Sequence, residues 1–139
     1  EAIAKGKQFL LDCQDEKGGF GYTGNSGANL PRTAIGSLIL SLDKDTDSKP
    51  FKSSLEYLRK NARFGDQGHK FYSLYYTAQA MFRTSPEDWN TWNLANVRQL
   101  QATQSESGSW TGNYGTTFAT SAALLSMALN YRYLPIYER

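Results

Sequence analysis
The chain has 139 residues, enough for one domain that buries roughly two-thirds of its unfolded surface. Its 15 Lys and Arg against 13 Asp and Glu leave a formal +2 with the basic residues scattered, which argues against nucleic acid or an anionic membrane as partner. A single cysteine, Cys13, excludes an internal disulfide and a cysteine-based zinc cluster, and no apolar run is long enough for a membrane-spanning helix.

The first predicted helix runs from Ala2 to Gln14, with Ile3, Gly6, Leu10 and Cys13 down one side and Lys5, Lys7, Gln8 and Asp12 mostly elsewhere. Glycines 18, 19, 21, 24 and 27 then form a long turn region. A second helix, Arg32 to Leu42, follows Pro31 and is small and apolar over most of its surface, as a buried helix is. The polar linker Asp43–Lys49 leads to a third helix that opens on Pro50, where Phe51, Leu55, Leu58 and Ala62 step by four, three and four. A break at Gly65–Gly68 precedes the fourth helix. There Phe71, Leu74, Tyr75, Ala78, Met81 and Phe82 make one stripe, and Tyr72, Tyr76, Gln79 and Arg83 a second. Ser85-Pro86-Glu87-Asp88 reads as a helix start, with a Ser cap, Pro in the first turn and acids beside the positive end of the dipole. That fifth helix carries Trp89, Trp92, Val97 and Leu100 to Gln104. A sixth, about Thr116 to Tyr133, has hardly a polar face and ends at Pro135.

The helices alternate. The first, third and fifth are amphipathic, while the second, fourth and sixth are built of small and apolar residues. Thr33-Ala34, Thr77-Ala78 and Thr120-Ser121 mark the same place in each inner helix, 44 and then 43 residues apart. Three helical hairpins of about 44 residues follow, units that cannot bury their faces alone and must stack. The fold class expected is all-α, in one domain over residues 1–139.

One phrase occurs twice. Gln14-Asp15-Glu16-Lys17-Gly18-Gly19-Phe20 returns, 90 residues later, as Gln104-Ser105-Glu106-Ser107-Gly108-Ser109-Trp110. Both read Gln, three residues, Gly, a small residue and an aromatic. With Lys5, Gly6, Phe9 and Leu10 ahead of the first copy, the pattern resembles the QW motif of the prenyltransferase and squalene-oxidase repeats. Those repeats occur in squalene–hopene cyclases and in protein prenyltransferase β subunits. The resemblance covers the three hairpins, with the middle copy degenerate and Phe20 in place of Trp in the first. It implies an (α/α) toroid with inner helices around a central cavity. Nearly complete members have about six hairpins, so a partial toroid is expected, the C-terminal part of a longer protein. Tyr131-Arg132-Tyr133-Leu134-Pro135-Ile136-Tyr137 resembles the ending of bacterial members, often from planctomycetes. In this motif Gln14 and Gln104 serve backbone groups at outer-helix ends, Gly18 and Gly108 permit positive φ, and Phe20 and Trp110 plug the gap between hairpins. These are structural roles.

Catalytic and metal chemistry find little support in the sequence. Cyclases of that family use an Asp-x-Asp-Asp cluster, whereas Asp43-Lys44-Asp45-Thr46-Asp47 has another pattern and falls in a linker, where exposure does not raise a carboxyl group into the range of a catalytic acid. The same acids fail as a calcium loop, because Ser48 and Ser54 stand where Gly and Glu are required. Cys13 and His69 cannot complete the zinc set of the prenyltransferases or a nucleophilic triad. Cys13 reads as a small buried hydrophobe and His69 as a surface or capping residue. The glycines from Gly19 to Gly24 spell a dinucleotide-binding pattern, but a helix rather than a strand precedes them. No catalytic residue, metal ligand or cofactor is therefore assigned.

The remaining candidates are rings. Tyr72, Tyr75 and Tyr76 on the fourth helix and Phe118 on the sixth are placed to line a hollow that takes an apolar or carbohydrate ligand. Arg32 and Arg83 on inner helices are candidates for an anionic group. The expected function is a non-catalytic binding or assembly module whose partner is the rest of its own polypeptide or another protein. A terpenoid-cyclase-like enzyme fragment acting on an isoprenoid is the first alternative, and a polysaccharide-active toroid the second. The sequence assigns no compartment.

Overall fold
The computed structural model describes residues 1–63 and 69–132. The expected break at Gly65–Gly68 and the ending from Tyr133 through Pro135 to Tyr137 lie outside them. The protein is all-α. Among the described residues it has six α-helices, α1 Ala2–Asp12, α2 Leu30–Leu42, α3 Lys49–Asn61, α4 Lys70–Phe82, α5 Pro86–Thr103 and α6 Thr116–Ala128, followed by a 3-10 turn, Leu129–Tyr131. Contacts group the chain into two compact units, Glu1–Ala62 and Arg63–Arg139.

In the first unit α2 packs on α3. Asn29 caps α2, its side chain accepting the Arg32 N–H. That cap starts the helix at Leu30, two residues ahead of the expected Arg32. Ser48 caps α3 in the same way through the Phe51 N–H. Such caps satisfy amides that have no helical partner, at about 1 kcal/mol each. The core joins Cys13, Phe20, Leu40 and Phe51, with Leu10, Leu11 and Leu55 packed against it. Burying a leucine or phenylalanine side chain contributes about 1.5–3 kcal/mol, so these few residues carry much of the unit's stability. The fit is close. A Cβ on Gly36 would lie 2.6 Å from the Phe20 ring.

Helix α1 departs from the expected pattern. It ends at Asp12 rather than Gln14, and the first half of the expected stripe is bare, with Ile3 81% exposed and Gly6 exposed; Phe9, outside that stripe, is 58% exposed. Leu10 and Leu11 are half-buried and Cys13, just beyond the helix, is buried. The reason is that among the described residues no other helix packs extensively on α1. Its middle is held instead by Lys7, whose Nζ lies 2.6 Å from Asp43 Oδ2 and 2.8 Å from Asp45 Oδ2. Linker acids that read as merely solvated thus form an ionic clasp. Hydrogen bonds to Asp43 and Asp45 raise the Lys7 pKa, and the Lys7 ammonium lowers that of Asp45.

In the second unit α4 packs on α6 and on α5. The predicted start of α5 is met: Ser85 Oγ accepts the Asp88 N–H at 3.1 Å, with Pro86 and two acids in the first turn. Trp89 meets Phe82 edge to face, stacks on Trp92, and donates its indole N–H to Asn130 Oδ1 at 2.8 Å. Buried Asn96 on α5 donates to Ser126 Oγ on α6 at 3.2 Å. Helix α6 stops at Ala128, earlier than Tyr133. The 3-10 turn then closes on Arg132 in the left-handed region, φ 50°.

The two motif turns share one internal geometry. Asp15 N–H bonds Gly19 O and Gly18 N–H bonds Asp15 O; Ser105 with Ser109 and Gly108 with Ser105 repeat both bonds. Gly18 and Gly108 sit at φ 86° and 82°, where a side chain is strained. Gln14 Nε2 donates to Gly18 O and Gln104 Nε2 to Gly108 O. The aromatic is pinned by the recurring threonine: Phe20 N–H donates to Thr33 Oγ1 at 3.0 Å, and Trp110 N–H to Thr120 Oγ1 at 3.1 Å. Trp110 adds an indole bond to Leu100 O at 3.0 Å, which Phe20 cannot make. Thr77, the third of the series, is buried with its hydroxyl unpaired among the described residues.

Candidate functional site
On α4, Tyr72, Tyr75 and Tyr76 fall three and four residues apart, so their rings share a face. Phe118 begins a matching stripe on α6 that continues through Ser121, Ala122 and Leu125. Because α4 packs on α6, the two stripes meet around a hollow of about 330 Å3 lined by those seven residues. That volume lies at the small end of the range for ligand pockets, roughly 300–1,000 Å3. All four rings picked from the sequence line the same hollow.

The tyrosines order one another. Tyr76 meets Tyr72 and Tyr75 edge to face, each pair with ring centroids 5.0 Å apart. Desolvation, and then the neighbouring Tyr72 and Tyr75, raise the Tyr76 pKa, so its phenol stays protonated and available as a donor at neutral pH. Among the described residues that line the hollow there is no carboxylate, imidazole, thiol or amine. Its polar groups are three phenols and the Ser121 hydroxyl. That set can sort ligands by shape and hold one or two acceptor atoms, while the ring faces supply apolar contact or attract a cation.

Ser121, Ala122 and Leu125 do not stand out from the sequence as lining residues, because α6 reads as apolar over nearly its whole surface. Their spacing from Phe118, at three, four and seven residues, was the signal that could have found them.

A smaller cavity, about 200 Å3, lies at the N-terminal ends of the same helices, between His69, Lys70, Phe71, Thr111, Gly112, Asn113, Tyr114 and Phe118. His69 occupies the position before α4 without capping it by its side chain. Its ring stacks on Tyr114, whose hydroxyl lies 2.8 Å from His69 Nδ1.

The other candidates are placed elsewhere. Arg32 is turned back on its own loop, Nε donating to Asn29 Oδ1 and Nη2 to Gly27 O, with the guanidinium over the Tyr22 ring. Arg83 follows the last turn of α4, where burial lowers its pKa. Gln14, Gly18 and Phe20, and Gln104, Gly108 and Trp110, belong to the two turns and do not line the hollow. Among the described residues no group of His, Cys, Asp and Glu is arranged to hold a metal ion, and no helix is long and apolar enough to cross a membrane.

Compared with protein-family models, with curated proteins and with solved structures, the chain has no match in any of the three.

Proposed function
We propose that this chain is a non-catalytic helical-repeat module that holds an apolar ligand in the hollow between α4 and α6. The observation that carries the proposal is the convergence of Tyr72, Tyr75, Tyr76 and Phe118, with Leu125, on one hollow whose lining, among the described residues, holds no carboxylate, imidazole, thiol or amine. Burial of an apolar ligand against four rings is favourable in proportion to the area removed from water. The phenols favour a ligand with an oxygen at one end, an isoprenoid alcohol being the simplest case. Two turns of one geometry, pinned by Thr33 and by its counterpart Thr120, support placing the chain with the QW-type repeats its motif resembles.

Calorimetric titration with a fifteen-carbon isoprenoid alcohol, and in parallel with a soluble oligosaccharide, tests the proposal. Saturable binding of the alcohol with a negative heat-capacity change is expected. Leu125→Trp, which fills the hollow from an already half-open position, should abolish the heat while leaving the helical signal intact. Absence of binding by the parent chain, or undiminished binding by the filled variant, refutes the reading. Preference for the oligosaccharide moves the ligand class to sugars.

A further inference from the structure
The two motif turns are alike inside and unlike outside, and the first shows what the second is shaped to receive. At Gln14 the side-chain amide reaches past its own turn to the first turn of α3, donating to Pro50 O at 2.8 Å and to Ser53 Oγ at 3.3 Å. Gly18 lies flat against that same turn: a Cβ on it would come within 2.2 Å of Ser53 O. At Gln104 the amide makes only the internal bond to Gly108 O among the described residues. Residues Gln104 to Gly108 are all exposed, and a Cβ on Gly108 would meet nothing nearer than the Gln104 amide at 3.9 Å.

The neighbouring inner helices differ in the same sense. With Thr33 and Thr120 as equivalents, Ser37 and Leu40 of α2 correspond to Leu124 and Met127 of α6. Where α3 packs on α2, Ser37 and Leu40 are buried; Leu124 is 52% exposed and Met127 is half-buried. An α3-like helix is therefore the shape that fits the second joint.

The chain carries such a helix with its first turns uncovered. Phe51, Ser54 and Leu58, at i, i+3 and i+7, are the buried stripe of α3. Ile3, Gly6 and Leu10 repeat that spacing on α1, where Ile3 and Gly6 are exposed and Leu10 is only half-buried. Phe9 likewise stands at the place of Tyr57, whose ring lies across Gly19. Ser109 replaces Gly19 in the second turn, so an incoming ring there lies farther out than Tyr57 does. We propose that the Gln104–Trp110 turn, with Leu124 and Met127, seats helix α1 of a second copy of this chain, so that copies join head to tail. Gln104 then donates to the backbone carbonyl at Ala2, the counterpart of Pro50, and Ile3 covers Met127 as Phe51 covers Leu40. The contact is heterologous, each copy offering a different surface, so the assembly grows beyond two unless it closes into a ring.

The proposal does not depend on the tyrosine hollow, since neither Ile3 nor Leu124 lines it. Sedimentation velocity of the intact chain over a wide concentration range is the test. Mass should rise with concentration, past the dimer where the row of copies stays open and to the dimer where two copies close on each other. Ile3→Asp and Leu124→Asp alter side chains already exposed, so each variant should keep its circular dichroism and run as a monomer alone. Mixed in equal amounts they should form a dimer of one of each and nothing larger, because the mixture holds one intact α1 and one intact joint. A parent chain that stays monomeric throughout assigns the joint to some other segment or protein and overturns self-docking. So does a variant that still self-associates, or a mixture that fails to pair.

Discussion

The turns at Gln14–Phe20 and Gln104–Trp110 have the same backbone hydrogen bonds, the same positive-φ glycine and the same threonine beneath the aromatic. Yet Gly18 is buried and Gly108 exposed. The difference separates two things that one motif encodes. Its internal shape is written in the Gln, the Gly and the threonine further along, and it forms whether or not anything lies against it. Its use as a joint depends on the helix that comes to rest on it. Substitutions at matched positions should therefore diverge in cost, and the divergence measures the joint alone.

The widest gap is expected at the glycines. Gly18→Ala meets both the strained φ and the backbone of Ser53, and denaturant unfolding should show a loss of about 3 kcal/mol or more. Gly108→Ala meets only the strained φ, for a loss of about 1 kcal/mol. Equal losses at the two sites would erase the distinction drawn between the turns.

The threonines should come next and should agree with each other more closely. Thr33→Val or Thr120→Val leaves the N–H of Phe20 or Trp110 without its acceptor, a loss of about 1–3 kcal/mol by the same measurement. The larger value is expected at fully buried Thr33. At the glutamines the gap reopens at smaller scale. Gln14→Leu removes the bond to Pro50 O and should cost about 1 kcal/mol, whereas Gln104→Leu removes only an exposed local bond and should fall within about 0.5 kcal/mol of the parent.

The smallest effect is that of pH on the Lys7 clasp. The folded state raises the Lys7 pKa, so that contribution is present below the ordinary value near 10.5 and fades as pH climbs through the raised one. It lowers the Asp45 pKa, so that contribution is present above the ordinary value near 3.8 and fades as pH falls through the lowered one. Amide exchange in α1, compared between the parent and Lys7→Met, should differ at neutral pH and converge as acid protonates Asp45. A difference that persists in acid would remove the clasp from the account of how α1 is held.

Much of this was legible in the chain. Ser85-Pro86 announced a capped helix start because a hydroxyl and a proline suit positions that lack amide partners. The 44-residue beat of Thr33, Thr77 and Thr120 marked the inner helices before any of their contacts was known. The hollow was legible in part: Tyr72 and Tyr76 share one stripe and Tyr75 lies beside it on the next, whereas Ser121, Ala122 and Leu125 are too small or too ordinary to stand out from a core. The fate of α1 was not legible. Periodicity says which side of a helix is apolar, and nothing in residues 2 to 12 says whether a neighbour is there to cover it. The Lys7 clasp was hidden for another reason, since its partners lie 36 and 38 residues away in a linker whose acids read as solvated.

Cys13, the one thiol of the chain, lies 3% exposed in the cluster that joins the end of α1 to Phe20, Leu40 and Phe51. No alkylating reagent reaches it while those contacts hold. Its labelling rate is therefore a clock on the opening of the first joint. Read by mass spectrometry without any engineered probe, it should tick faster in Gly18→Ala, keep its parent pace in Gly108→Ala, and slow whenever something clamps α1 from outside.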